Sequence, residues 1–324
     1  MMPSMHVLLM YTPDPPSAAH VARLRALDPQ LRVTVAASEA EARAAAGTAE
    51  VILGQRYLRQ VLPQAAHLRW VQSTSGGTDH LPESGLAKRG ILLTRFTGAS
   101  ELVARHALAL AWGLTRGLPT LARQHKAATW AKALPLLPSP ARALILGTGA
   151  IGRALAPPLR AHGLRVTGVK RRVDGALPDF DALLDRSTWR TALPSADWCF
   201  LALPHTPDTV NMVDEAALRA LPPHAVVVNV GRGETLDLPA LIRVLEEGHL
   251  GGAALDVVPH ALDPPPPDHP LWTTPRLLIS PHVAGHDPTR GPMVEAFVEA
   301  QVARYLAGEP LHNVVGRAPR ASAV

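Results

Sequence analysis

The stretch from Ala143 to Val169 constrains the fold more than any other part of the chain. Ala143-Leu144-Ile145-Leu146 is apolar at every position, as a strand covered on both faces is. It runs directly into Gly147-Thr148-Gly149-Ala150-Ile151-Gly152. A helical stretch, Arg153–Ala161, and a second strand, Leu164–Val169, follow. G-x-G-x-x-G between a strand and a helix, inside a βαβ unit, is built for a dinucleotide. The first glycine permits a tight turn, the second lets a pyrophosphate reach the backbone, and the third lets helix and strand pack closely. The helix N-terminus then faces the negative charge. Such a motif alone is weak, and the flanking strands are what make it specific.

The rest of the chain alternates in the same way. Strand-like runs occur at Met5–Met10, Leu31–Ala36, Glu50–Leu53, Leu68–Gln72 and Ile91–Thr94, with helical spacing at Ala18–Leu27 and Glu39–Ala46. This pattern predicts parallel sheets with helices on both faces. A long helical stretch runs from Ser100 to about Thr129, with a break near Gly117-Leu118-Pro119. Proline-rich Pro135–Pro140 punctuates it, and a second alternating series continues to about Pro281. Pro292–Leu306 is again helical, and Gly316–Val324 is expected to fray. A chain of 324 residues sets a prior of about two domains.

Composition excludes several classes. Hydrophobic residues at 47% supply real cores, and 18% charge is too little for a disordered chain. A single cysteine, Cys199, rules out a disulfide framework and a cysteine-rich zinc module, and no metal site is expected. No apolar run approaches the ~18 residues that span a bilayer. Met5–Tyr11 has no basic leader and no small-residue cleavage site, so it reads as a strand and not a signal peptide. The expectation is a soluble cytoplasmic protein without membrane partners. The net charge of +5 raises the question of nucleic acid. Only four lysines occur, the arginines are scattered, and aromatics are 4%, so no nucleic-acid surface is expected.

One basic cluster is placed for chemistry. An NAD-binding unit usually carries Asp or Glu at the end of its second strand, to accept from the ribose hydroxyls. Here Lys170-Arg171-Arg172 follows, with no acid before Asp174. Three cations suit a 2′-phosphate, so NADP is expected over NAD, with NAD as the alternative.

Three further strand ends deliver polar groups. Ala225–Val230 ends in Gly231-Arg232-Gly233, where a planar guanidinium can grip a carboxylate or a carbonyl oxygen. The alternative is a surface loop arginine. Ala253–Val258 holds one acid, Asp256, among apolar neighbours. A buried carboxylate needs donors, which a cofactor amide could supply; otherwise Asp256 caps a neighbouring loop. Leu277–Pro281 delivers His282, followed by Val283-Ala284-Gly285. Histidine is the natural proton donor to a carbonyl being reduced near neutral pH.

With these residues in place, the chain resembles the D-isomer-specific 2-hydroxyacid dehydrogenases over nearly its whole length. The resemblance runs through Leu68–His80, the glycine motif, Leu203–Thr209, Asn229–Gly233, Leu255-Asp256-Val257, Pro270-Leu271-Trp272, Ser280–Gly285 and Tyr305–Pro310. The basic strand end looks most like the NADP-using glyoxylate/hydroxypyruvate reductase branch. The fold implied is α/β, with two Rossmann-like doubly wound domains. The nucleotide domain, 99–287, is inserted into a discontinuous substrate domain, 1–98 and 288–324. The resemblance implies that Arg232 holds the substrate carboxylate and carbonyl, that His282 is the acid/base, and that the backbone of Ser75-Gly76-Gly77 takes the carboxylate. It places Gly147, Gly149, Ala150, Ile151, Gly152, Leu203, Pro204, Thr209, Val230, Gly231, Asp256, His282 and Gly285 along the cofactor, with Asp256 on the nicotinamide amide. The reaction implied is reduction of a small 2-oxo acid to the D-2-hydroxy acid.

Two departures stand out. The family has Glu-Pro five residues after the Asp256 position, pairing with the histidine. Counting forward reaches Ala261, whereas counting back from Pro270-Leu271-Trp272 reaches Asp263-Pro264, because this loop reads two residues longer. Asp263 is therefore the expected carboxylate partner, and a solvated loop acid is the alternative. Arg105 stands where the family usually has glutamate before His106, with no functional account. Competing readings are a non-catalytic dinucleotide-sensing scaffold of the same fold, or a related dehydrogenase acting on formate or phosphite. Ala107–Ala111, Trp112 and Leu114 lie in a helix apolar on more than one face, and with the resemblance this predicts a homodimer; the alternative is a helix buried within its own domain.

Overall fold

The computed structural model describes residues 5–13, 15–132, 134 and 136–315. The expected fraying of Gly316–Val324 lies outside the described residues. The chain divides into two compact units: one runs up to Ala99 and resumes at Asp287, and the other is Ser100–His286.

The first unit alternates β1 (His6–Leu9), α1 (Ala18–Leu27), β2 (Arg32–Val35), α2 (Glu39–Ala46), β3 (Val51–Leu53), α3 (Leu58–Val61), β4 (Trp70–Ser73), α4 (Glu83–Lys88) and β5 (Leu92–Arg95). Side-chain caps set the early helices: Ser17 accepts from the N–H of His20, and Ser38 from that of Glu41. The strands form one parallel sheet in the order β2-β1-β3-β4-β5. The order reverses between β1 and β3, the edge where open α/β sheets bind ligands.

The second unit contains α5 (Ser100–Thr115), α6 (Leu118–Lys126), β6 (Arg142–Leu146), α7 (Ala150–Ala161), β7 (Arg165–Lys170), β8 (Ala182–Asp185), β9 (Trp198–Leu201), α8 (Glu215–Ala220), β10 (Val226–Asn229), α9 (Leu238–Glu246), β11 (Gly252–Leu255) and β12 (Leu277–Ile279). Its seven parallel strands run β12-β11-β10-β9-β6-β7-β8, a Rossmann order extended by one strand. β9 and β6 flank the reversal. Both faces are covered, which is why β9 and β10 are buried at every position. One face packs Leu146, Cys199, Val227, Leu241 and Leu245 together. The other packs Ile145, Phe200, Val228 and Leu155 against Ala104, Ala107 and Ala111 of α5. Much of the apolar surface of α5 is thus covered within its own unit. Arg105 points outward from it and pairs with Glu101 one turn earlier.

The last helix, α10 (Arg290–Leu306), returns to the first unit. Val294, Val298 and Val302 join Leu9, Leu24 and Trp70 in its core. A polar clasp fastens α1 to α10. The fully buried His20 lies 2.7 Å from the Tyr11 hydroxyl through Nε2 and 2.6 Å from Glu299 through Nδ1. Glu299 also accepts from Arg23, and Glu295 from Ser17. His20, Glu295 and Glu299 bring ligand-type atoms within 4.8 Å of one another, but those atoms already serve Tyr11, Arg23 and Ser17. No described helix is long and apolar enough to cross a membrane.

Trp198 is central to the second unit. It is 2% exposed, donates from Nε1 to Thr115 Oγ1 at 3.2 Å, and meets Trp112 edge-on at 4.8 Å between ring centroids. Trp198→Ala should cost about 3–5 kcal/mol, seen as a lower urea midpoint at unchanged slope. A loss below about 1 kcal/mol would show that the ring does not organise this core.

Candidate active site

Three neighbouring strands of the second unit end in the polar residues. β10, β11 and β12 lie side by side with Asn229, Leu255 and Ile279 in register. The chain therefore leaves one sheet edge at Gly231-Arg232, at Asp256 and at Ser280-Pro281-His282. Asp256 itself follows β11 and is not inside it.

The Arg232 turn is shaped by backbone crowding. A β-carbon on Gly231 would lie 2.6 Å from the Leu203 carbonyl oxygen, and one on Gly233 2.0 Å from the Val258 carbonyl carbon. Only glycine fits on either side of the arginine. The fully buried Asn229 then fixes the turn: its Oδ1 accepts from Gly231 N–H, and its Nδ2 donates to the Arg232 carbonyl, both at 3.0 Å. Arg232 Nη1 donates to the Gly231 carbonyl at 2.8 Å.

Asp256 is 2% exposed, and its donors come from its own chain. Ser280 Oγ donates to it at 2.6 Å, Val283 N–H at 3.0 Å and Ala284 N–H at 3.1 Å. This matches the loop-capping alternative and needs no cofactor amide to explain the burial. His106 Nε2, from α5, lies 2.9 Å from Ser280 Oγ. Since Ser280 gives its proton to Asp256, it accepts from His106, which assigns a proton to Nε2. The bracket holds the backbone of His282, whose φ of 56° falls in the left-handed region that side chains avoid. His282 N–H donates to the Asp256 carbonyl at 2.9 Å, and its ring is exposed. Asp263 is exposed too, in the turn after His260–Leu262, and no hydrogen bond or ion pair joins it to His282 among the described residues. Ala261 lies in that same exposed turn.

The glycine motif tests whether a dinucleotide fits. Gly147 has φ 105°, and a β-carbon there would sit 2.6 Å from the Ala202 carbonyl oxygen. On Gly152 it would lie 2.0 Å from the Gly147 carbonyl oxygen. The protein itself thus demands the two outer glycines. Gly149 differs, because nothing lies within 4 Å of the position its β-carbon would take. It caps α7, which starts at Ala150-Ile151 without a side-chain cap. Open space in front of uncapped helix amides is what a pyrophosphate requires. Leu203 and Val230 are buried nearby in the fold, while Pro204 is exposed. Thr209 closes the following loop by donating to the Pro204 carbonyl at 2.6 Å and accepting from Thr206 N–H at 2.9 Å. Gly285 lies in the turn past His282. Lys170 ends β7 and is ion-paired with Asp174, whereas Arg171 and Arg172 are exposed. Cys199 is fully buried, and burial pushes its thiol up to about 12, so it offers no nucleophile.

Ser75-Gly76-Gly77 belongs to the first unit, in the loop after β4. Gln55 organises it, accepting from Thr74 N–H at 2.9 Å and donating to Ser75 Oγ at 2.7 Å. Among the described residues the N–H groups of Gly76 and Gly77 have no hydrogen-bond partner. Gln55, Asn229, Ser280 and His106 received no role in the sequence reading. For Asn229 the signal was there, a lone amide ending an all-valine strand. Gln55, Ser280 and His106 gave none, because their partners are distant in sequence or supplied by backbone.

Comparison with known proteins supports one family. The description "D-isomer specific 2-hydroxyacid dehydrogenase, NAD binding domain" matches residues 108–284. Glyoxylate/hydroxypyruvate reductase B of Yersinia enterocolitica is 32% identical over 266 residues, 78% of this chain and 79% of the relative. The crystal structure of a D-isomer specific 2-hydroxyacid dehydrogenase family protein from Aeromonas salmonicida is 30% identical, with a TM-score of 0.80 over 97% of this chain and 99% of that one. A D-isomer specific 2-hydroxyacid dehydrogenase from Xanthobacter autotrophicus, solved with NADPH and MES, is 25% identical, with a TM-score of 0.81 over 97% and 98% of the two chains. The strand order, the glycine cradle and these likenesses agree: the chain belongs to the D-isomer specific 2-hydroxyacid dehydrogenases, a family of NAD(P)-dependent oxidoreductases.

Proposed function

We propose that the chain reduces a small 2-oxo acid of the glyoxylate or hydroxypyruvate kind to the D-2-hydroxy acid, with NADPH preferred and NADH as the alternative donor. The observation that carries this reading is the shared edge of β10, β11 and β12, which delivers Arg232, Asp256 and His282 from adjacent strands. When bound, the nicotinamide supplies a hydride. His282 gives its ring proton to the oxygen of the new hydroxyl. Arg232 holds the carboxylate and carbonyl oxygen and stabilises the negative charge that develops there. The unpartnered amides of Gly76 and Gly77, beside Ser75, suit a carboxylate. On this reading the second unit holds the cofactor and supplies Arg232 and His282, and the first supplies the Ser75-Gly76-Gly77 backbone. Gly147, Gly149 and Gly152 cradle the pyrophosphate with the amides of Ala150 and Ile151. Leu203, Pro204, Thr209, Val230, Gly231 and Gly285 line the dinucleotide. Asp256, already committed to its own loop, orients the nicotinamide amide through what bonding capacity remains. A cytoplasmic location fits such an enzyme. The relative named glyoxylate/hydroxypyruvate reductase supports the substrate class, and the relative solved with NADPH supports the cofactor.

A panel of 2-oxo acids, run with both NADPH and NADH, tests the function. Turnover of glyoxylate or hydroxypyruvate is expected, fastest with NADPH. Binding of the cofactor without turnover of any 2-oxo acid would favour the sensing scaffold. Arg171→Ala should weaken NADPH binding far more than NADH binding, since a charge-assisted contact is worth about 1.5–3 kcal/mol. Equal losses would remove the argument from the basic strand end.

The proton donor has its own test. A carboxylate beside an imidazolium raises the imidazole pKa. If Asp263 reaches His282 in the working enzyme, Asp263→Asn lowers that pKa. Reduction needs the protonated ring, so the basic limb of the rate profile moves to lower pH, while the acid side changes less. An unmoved limb would assign Asp263 to solvent. His282→Ala should cost about 10²–10⁴ in turnover at every pH.

A homodimer completes the proposal. Helix α6 buries none of its residues, and Leu118, Leu121 and Trp130 are 54%, 39% and 96% exposed. That apolar surface suits a second copy of the chain. Light scattering at micromolar concentration should return a dimer mass, and a monomer mass would count against it.

A further inference from the structure

We infer that Arg186 is a further anchor for the 2′-phosphate of the cofactor, parked on Asp208 and exchanged onto the phosphate. The inference rests on the NADPH reading above and extends it to a residue outside the glycine motif and its basic strand end.

The placement comes from strand register. β7 and β8 are parallel neighbours that end together, with Lys170 opposite Asp185. The next residues to leave this edge are Arg171 and Arg186. The turn that carries Arg186 is fixed, because the Asp185 carboxylate accepts from Ser187 N–H at 2.9 Å, Ser187 Oγ at 2.6 Å and Thr188 N–H at 3.1 Å. From there Arg186 Nη1 reaches Asp208 Oδ1 at 2.8 Å. Asp208 lies in the Pro204–Thr209 loop, the one that Thr209 closes. Arg186 therefore joins, by register, the basic strand end read as the 2′-phosphate site and, by ion pair, the loop proposed to line the dinucleotide.

The chemistry favours exchange. Both side chains are accessible, at 45% for Arg186 and 59% for Asp208, and an exposed ion pair of this kind is weak. A phosphate dianion offers three oxygens and more charge to the same guanidinium fork. The local balance also leaves a place for it. Lys170 is ion-paired with Asp174 and the Asp185 carboxylate is held by its own turn, while Arg171 and Arg172 are exposed beside them and Arg186 holds Asp208. A 2′-phosphate entering there meets three arginines. Two carboxylates at this edge beside the arginines, Asp174 and Asp208, are each already paired with a cation.

Calorimetry on the full chain tests this without turnover, using 2′,5′-ADP and 5′-AMP as probes. The unaltered protein should bind 2′,5′-ADP more tightly. Arg186→Ala should weaken 2′,5′-ADP by about tenfold or more and leave 5′-AMP within about twofold. Arg186→Lys should recover part of the loss, because it keeps the charge without the fork. Asp208→Asn should tighten 2′,5′-ADP, because it removes the competing anion. If Arg186→Ala weakens both probes alike, or neither, Arg186 only braces the loop and the inference is overturned. If the unaltered protein binds the two probes equally, the NADPH reading itself fails. A kept preference in Arg186→Ala overturns the Arg186 assignment alone.

Discussion

Asp256 stands inside the second unit with a carboxylate that water does not reach, and its surroundings are arranged to satisfy it. Three donors from its own chain, Ser280 Oγ and the N–H groups of Val283 and Ala284, converge on two oxygens. A buried acid without such donors would be costly. Meeting that requirement curls the chain after β12, and the curl sets the unusual backbone of His282. The backbone of the proposed proton donor is thus set by a charge that lies one strand earlier in the chain, at the end of β11. His106 extends the arrangement to α5, so the helix and the strand edge are tied through one hydroxyl.

The same logic recurs at the other polar edges. Parallel strands end with backbone groups that have no ladder partner, and these must find one. Asn229 serves the Arg232 turn with both ends of its amide. Gln55 does the equivalent work in the first unit, where it organises Thr74 and Ser75 and leaves the Gly76 and Gly77 amides open. In each case a buried amide whose own hydrogen bonds are met holds a loop that carries a proposed site residue. Rigidity at these points is what a reaction sensitive to small misplacements requires.

Glycine plays two different parts. Gly147, Gly152, Gly231 and Gly233 are where backbone meets backbone too closely for a β-carbon. Gly149 is under no such pressure, and the space beside it belongs to whatever binds. The sequence motif assigns the three glycines of the cradle a turn, a pyrophosphate approach and a close packing contact. The packing around them separates two that build the turn from one that leaves room.

The sequence alone determined the class and much of the order of the fold. Helices Ala18–Leu27 and Glu39–Ala46 were legible to the residue, because capping serines and local spacing decide them. Long all-apolar runs identified parallel strands, since strands covered on both faces have no polar side to alternate with. The glycine motif, the basic strand end, Arg232 and His282 were likewise visible, each being a short pattern at the end of such a run. β8 was not, because Ala182–Asp185 is only partly covered at the sheet edge and carries a weak pattern. Tertiary structure decided what depends on partners far apart in the chain. It brought Asp256 donors from 24 to 28 residues away and put Asp208 on Arg186. It also left Asp263 in solvent without a bond to His282, a relation that counting residues along a loop of altered length does not resolve. Periodicity and capping are local and are written in the sequence, whereas the pairing of a buried or strand-end charge is a property of the folded neighbourhood.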